Sequence, residues 1–265
     1  MNTQEYQAIV QHYEANNEDL RFETRWCSIE YLTTLRYIHR YLQPGARVLE
    51  IGAGTGRYSI ALAAQGCNVT AVELVPHNLD NLRSKITPDM NICTLEGNAL
   101  HLDMLPDEAY DMTLLLGPLY HLFQNAEKQQ AISEALRVTK RSGIVMAAYC
   151  ITDGPMINYT FRQGRYRQLL ERGCLDDQNF VFRPEKGGFL FEHVRKADVD
   201  RLMAGFHVER LHYVATDGLP GFLLEELDDM EDETFQAVLR YHWTVCEHET
   251  LADATAHSLD IFRKR

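Results

Sequence analysis

Between residues 46 and 150 the chain alternates short, nearly continuous apolar runs with longer amphipathic ones. ARVLEIG (46–52), NVTAVEL (68–74), MNICTLEG (90–97), YDMTLLLG (110–117) and SGIVMAAYC (142–150) have the length and composition of strands covered on both faces. Three helices fall between them, at RYSIALAAQG (57–66), at 76–86 and at AEKQQAISEALRVTK (126–140). Gly66 closes the first, and Pro76 opens the second at a favoured first-turn position. Two amphipathic helices precede the alternation, over 4–22 and 29–42. In the latter Leu32, Leu35, Ile38 and Leu42 recur at helical spacing, and Pro44-Gly45 stops the helix. Regularity weakens over 151–194, which contains a Gly187-Gly188 turn and reads as an insertion or cap. Helices at 196–206 and 231–250 and strands at 207–216 and 257–265 complete the chain. This alternation predicts an α/β fold, a mostly parallel sheet with helices on both faces.

Length and composition narrow the setting. The 265 residues form a single domain with additions, since no Gly/Ser linker, repeat or low-complexity tract divides them. The N-terminus is too polar for a secretory signal, and no apolar run is long enough to cross a bilayer, so the expected compartment is cytoplasmic, with no membrane partner. Six scattered cysteines without a C-x-x-C pair read as buried, reduced thiols. The net charge of −12 disfavours a nucleic-acid partner. The densest acidic run, EELDDMEDE (225–233), reads as a solvated loop and the first turn of the next helix. His242, Cys246 and His248 do not share one helix face, so no metal is expected.

The candidate chemistry begins at LEIGAGTGRY (49–58), where Gly52, Gly54 and Gly56 follow the first strand. No lysine follows the last glycine, which excludes a P-loop, and Arg57 stands where a dinucleotide fingerprint needs its third glycine. Glu73 ends the second strand, 21 residues after Gly52, placed to accept hydrogen bonds from a ribose diol. Glu50 lies beside the loop, where a carboxylate repels a pyrophosphate and attracts an ammonium group.

Together V48-L-E-I-G-A-G-T-G-R57 and Glu73 resemble motifs I and II of the class I S-adenosylmethionine-dependent methyltransferases. LEGNAL (95–100) and LLLGPLYHL (114–122) extend the resemblance, which covers about residues 45–150. It implies a Rossmann-like seven-stranded sheet with its last strand antiparallel, divided into an N-terminal helical lid (1–44), a cofactor-binding core (45–150), and an insertion or cap with C-terminal strands (151–265). The helix at 231–250 is expected to wall the acceptor pocket. The resemblance also implies S-adenosylmethionine as cofactor, bound by Glu50, Gly52, Ala53, Gly54, Gly56, Glu73, Leu74, Asn98, Ala99 and Leu116. Asn98 stands where the family often has an acid, and its side-chain carbonyl can still accept from adenine. Leu74 and Leu116 equally continue apolar strands.

On the acceptor side, Gly117-Pro118-Leu119-Tyr120 lacks the side-chain acceptor and second proline of nucleobase-amine methyltransferases, which points to a small-molecule substrate. Tyr120 and His121 are the catalytic candidates: His121 as general base, Tyr120 orienting the acceptor, or both simply packing and capping. His12, Tyr13, Arg21, Arg25 and Trp26 in the lid, and Tyr149, Tyr159 and Arg162 further on, are further pocket candidates. An NAD-dependent oxidoreductase and a non-catalytic adenosylmethionine-binding partner or sensor remain the rival readings; the acceptor atom and the oligomeric state are left open.

Overall fold

The computed structural model describes residues 3–16, 19, 24–183 and 190–265. Helices α1 (Thr3–Ala15) and α2 (Arg25–Tyr41) lead into the alternating core. There β1 (Arg47–Ile51), α3 (Arg57–Ala63), β2 (Asn68–Glu73), α4 (Pro76–Lys85), β3 (Ile92–Glu96), β4 (Tyr110–Leu115), α5 (Asn125–Val138) and β5 (Thr139–Ile151) follow in order. The end of the first predicted helix, with Arg21, and the Gly187-Gly188 turn lie outside the described residues.

The segment after β5 is more regular than its sequence suggests. It contains a π-helical turn (Met156–Phe161), α6 (Tyr166–Glu171), a hairpin of β6 (Leu175–Asp176) and β7 (Val181–Phe182), and β8 (His193–Val194). Then come α7 (Lys196–Met203), β9 (Val208–Ala215), α8 (Asp232–Val245) and β10 (His257–Lys264).

The main sheet runs β3-β2-β1-β4-β5-β10-β9. β1 through β5 pair in parallel with one another, and β10 is antiparallel to both β5 and β9. The seven-strand expectation misses one element: β8 adds an eighth strand, pairing Cys150 with His193 and Ile151 with Val194 beyond the end of β4. At two residues it is too short to show a period in sequence.

Two apolar layers cover the sheet. On one face α5 contributes Ala131, Ile132, Ala135 and Val138, and α7 contributes Val199, Leu202 and Met203. On the other, Tyr37 and Ile38 of α2 and Leu62 and Ala63 of α3 pack on Val48, Leu114, Met146 and Leu259. Strands buried on both sides need the unbroken apolar runs seen in the sequence. None of the six cysteines is paired; four are buried, while Cys93 is exposed, contrary to expectation, on the edge strand β3. Among the described residues no helix is long and apolar enough to cross a membrane.

Candidate active site

Gly52, Gly54 and Gly56 all have positive φ, at 75°, 56° and 85°, a conformation that side chains with a Cβ disfavour. The loop turns back over β2: Gly52 N and Ala53 N both donate to Val72 O, at 2.8 and 3.1 Å. Gly54 N donates to Glu73 Oε2 at 2.7 Å, and Val75 N donates to Glu73 Oε1 at 2.9 Å. The Glu73 carboxylate is thus fixed by backbone at the carboxyl edge of the sheet, where open α/β sheets bind ligands. Burial raises its pKa against these hydrogen bonds.

A cavity follows that edge. Its wall includes Glu50, Gly52, Ala53, Gly54, Glu73, Leu74, Asn98, Ala99, Leu116, Tyr120 and His121, so eleven of the twelve residues singled out from sequence come together. Gly56 is the exception. A Cβ there would lie 2.1 Å from Leu82 Cδ1, so its lack of a side chain serves the packing of α4 against the start of α3. At Gly54 a Cβ would meet nothing within 4 Å.

Glu50 is buried and bonded by the Ser59 hydroxyl. Burial pushes its pKa up to about 8, so at neutral pH it is mostly protonated rather than the carboxylate its sequence position suggests. Asn98 Oδ1 accepts from Leu100 N at 3.0 Å, which orients the amide on the cavity wall.

Tyr120 and His121 lie on a single 3-10 turn (Pro118–His121) that follows β4. Nδ1 of His121 lies 2.9 Å from Leu190 O, so this nitrogen carries the proton, and Nε2 accepts from the Tyr13 hydroxyl at 2.9 Å. Burial lowers the His121 pKa to about 4. The expected near-neutral base is therefore a weak one with both nitrogens engaged. With Tyr13, Tyr120 and Phe191 it forms an aromatic wall, with ring centroids 4.9–5.7 Å apart.

The other pocket candidates divide. Tyr13 lines the cavity, and its neighbour His12 stacks edge-on against Phe191. Arg25 instead bonds Asp228 and Asp232 of the acidic run, and Arg162 reaches Phe222 O and Glu226. Tyr149 is buried in the sheet, Tyr159 sits under Arg165, and Trp26 is on the surface. No residue of α8 lines the cavity: the helix packs through Phe235 and Leu239 on Ile29 of α2, so α2 supplies the wall expected of α8. Sequence reasoning missed Glu30 and Thr34 of α2 and His257 and Ser258 of β10. Glu30 and Thr34 are four apart on one helix face, a spacing that amphipathicity alone reads as solvent-facing. Among the described residues no group of three His, Cys, Asp or Glu is arranged to hold a metal ion.

The family model described as a methyltransferase domain matches residues 48–143. The chain is 27% identical over 124 residues to the eEF1A lysine and N-terminal methyltransferase homolog of Drosophila melanogaster, covering 43% of this chain and 18% of that protein. It is 30% identical over 114 residues to the demethylmenaquinone methyltransferase of Clavibacter sepedonicus, covering 43% of this chain and 45% of the relative. The match thus spans less than half the length of either relative. The solved structure of the Burkholderia thailandensis 1,6-didemethyltoxoflavin-N1-methyltransferase, with S-adenosylhomocysteine bound, superposes with a TM-score of 0.59 at 15% identity, covering 98% of this chain and 86% of that one. Over residues 48–143 the chain matches a methyltransferase domain, and its glycine loop with Glu73 and its strand order are similar to those of the class I, Rossmann-like S-adenosylmethionine-dependent methyltransferases.

Proposed function

We propose that this protein transfers the methyl group of S-adenosylmethionine to a small-molecule acceptor. One observation carries the reading: the Gly52–Gly54 loop and Glu73, on the cofactor side, line the same cavity as Tyr120 and His121. Glu73 is assigned the ribose diol, Asn98 and Ala99 the adenine, Leu74 and Leu116 the apolar contacts along the ligand, and Glu50 with the loop glycines the methionine end. When bound, the cofactor supplies a methyl group already activated on a sulfonium sulfur. The chain's own contribution is then to align the acceptor and exclude water. Tyr13, Tyr120 and His121 serve that end as a closing aromatic wall. His121, held neutral, orients Tyr13 rather than removing a proton.

The small-molecule assignment is supported by the cover that α1 places over the cavity, where Ile9 and Tyr13 form part of the wall, and by the net charge of −12. Gly117 also lacks the side-chain acceptor that a nucleobase amine requires. We further read the lid, core and cap as parts of one domain. Calorimetric titration with S-adenosylmethionine, S-adenosylhomocysteine and NAD tests the cofactor reading: the first two should bind and NAD should not. Glu73→Ala should weaken both by more than about tenfold, since hydrogen bonds to a charged acceptor are worth about 1.5–3 kcal/mol. NAD binding without adenosylhomocysteine binding overturns the reading.

A further inference from the structure

The cap carries apolar surface that its own small core leaves exposed. Ile157 and Phe161 lie four residues apart on the π-helical turn, Tyr166 opens α6, and Phe180 directly precedes β7. The ring of Phe161 is 6.1 Å, centroid to centroid, from both Tyr166 and Phe180, so the three aromatic side chains form one cluster. Leu223, from the segment between β9 and α8, joins its edge. Asn158 Nδ2 donates to Gly221 O and Arg162 Nη1 to Phe222 O, both at 2.9 Å, and these bonds hold that segment against the π-helical turn. The five apolar side chains are each 37–46% exposed. At about 150–250 Å² per side chain they present roughly 400 Å² to solvent. A contiguous patch of that size on one chain is often functional. None of the five lines the cavity beside Glu73.

Charge is divided unevenly around the patch. At the Tyr166 end stand Arg165, stacked on the Tyr159 ring at 4.1 Å, and the exposed Arg167. Among the described residues neither makes an ion pair. At the Leu223 end runs EELDDMEDE (225–233), whose seven acids are all exposed. Arg162 takes up Glu226, and Arg25 takes up Asp228 and Asp232. Glu225, Asp229, Glu231 and Glu233 have no ion pair among the described residues.

We propose that this face binds a second copy of the chain in a two-fold dimer. A two-fold interface joins one patch to itself, so the patch must be self-complementary. Rotation about an axis through the Phe161 cluster sets the arginine end of one copy against the acidic run of its partner, with the two aromatic clusters packed between. An acidic partner of another kind would meet the acidic run, and a basic one the arginines; a second copy satisfies both ends. A standard interface covers about 800 Å² on each partner. The apolar centre supplies about half of that, and the charged rim the remainder.

Sedimentation velocity over about 1–100 μM protein tests the proposal. The wild type should dimerise within that range, and less tightly in about 0.5 M than in about 0.05 M sodium chloride. Phe161→Glu should raise the dimer Kd at least about tenfold. Reversing the basic end (Arg165→Glu/Arg167→Glu) or the acidic end (Glu225→Arg/Asp229→Arg) should each raise it at least about fivefold, and the four substitutions together should bring it back to within about threefold of wild type. Circular dichroism checks that each variant is folded. A wild type that stays monomeric to about 100 μM, a dimer unaffected by salt or by Phe161→Glu, or charge reversals that fail to rescue each other overturns the proposal. The wild-type mass and its salt dependence decide even where a variant does not fold.

Discussion

Gly54 and Gly56 are two residues apart and sit under opposite constraints. Both have positive φ, but a Cβ at Gly54 opens into the cavity while one at Gly56 strikes Leu82. Gly54→Val should therefore abolish adenosylmethionine binding, measured by calorimetry, with a stability loss of about 1–3 kcal/mol from backbone strain alone. Gly56→Ala should cost about 1–3 kcal/mol in urea unfolding through overpacking and backbone strain, with affinity reduced far less. The same affinity loss in both variants would mean that Gly56, too, faces ligand. Glu50 supplies a second test at this scale. Its carboxyl titrates near 8, above the ordinary 4.5, so the folded chain holds a proton that the unfolded chain has released. Its contribution to stability is complete below pH 4.5 and is lost as pH rises through 8. A cofactor ammonium beside it would reverse the shift and expel that proton. Binding at pH 7 should release up to about 0.9 proton, read as a dependence of binding enthalpy on buffer ionisation heat, and Glu50→Gln should release none. Zero release by the wild type removes the ammonium from Glu50. From sequence the position of Glu50 was legible and its protonation was not, because a pKa depends on burial that no local pattern reports.

At the scale of elements, the core strands and helices fell within a few residues of their sequence bounds, because apolar runs and Gly or Pro stops are local signals. What escaped was whatever depends on a partner. β8 exists through pairing with β5, and α2 became a cavity wall because α8 packs behind it. Asp260 on β10 is a similar case: a charged residue at a fully buried strand position, made tenable by its neighbour strand. Arg210 of β9 holds it in a two-pronged pair, Nε to Oδ1 and Nη2 to Oδ2, both 2.8 Å, while Nη1 reaches Asp200. Arg210→Ala strands a buried carboxylate and should cost about 3 kcal/mol by urea unfolding at pH 7. The loss should shrink at acid pH, where Asp260 takes up a proton. The double variant Arg210→Met/Asp260→Leu should recover most of the stability. A single-variant loss below about 0.5 kcal/mol, typical of surface pairs, would show the carboxylate to be solvated instead.

For the whole molecule, the cap between β5 and α7 raises the question of how many units unfold. Its own cluster is small, with Met156, Leu169, Cys174, Leu175 and Phe182 buried together. So small an apolar core does not offset the chain entropy of about 40 residues. The cap instead borrows stability from the sheet at both ends. Thr152 N donates to Val194 O at 2.9 Å, and Gly154 N donates to Thr255 O at 3.0 Å, with no room for a side chain between Gly154 and Ala256. Arg195 bonds Asp153, and Lys196 N donates to Asp253 Oδ1 at 2.6 Å. Gly154 N bonds Thr255, whose hydroxyl bonds Asp217, so the cap is joined to the sheet beside the Asp217–His257 pair. Scanning calorimetry should accordingly show one transition whose calorimetric and van't Hoff enthalpies agree. Adenosylhomocysteine at about 100 times its Kd should stabilise that whole transition by about 2.7 kcal/mol. Gly154→Ala should lower the melting temperature of the entire chain rather than split off a cap transition. Two transitions, with only the later one shifted by ligand, would make the cap a separate unit and remove it from the cavity's cooperative frame.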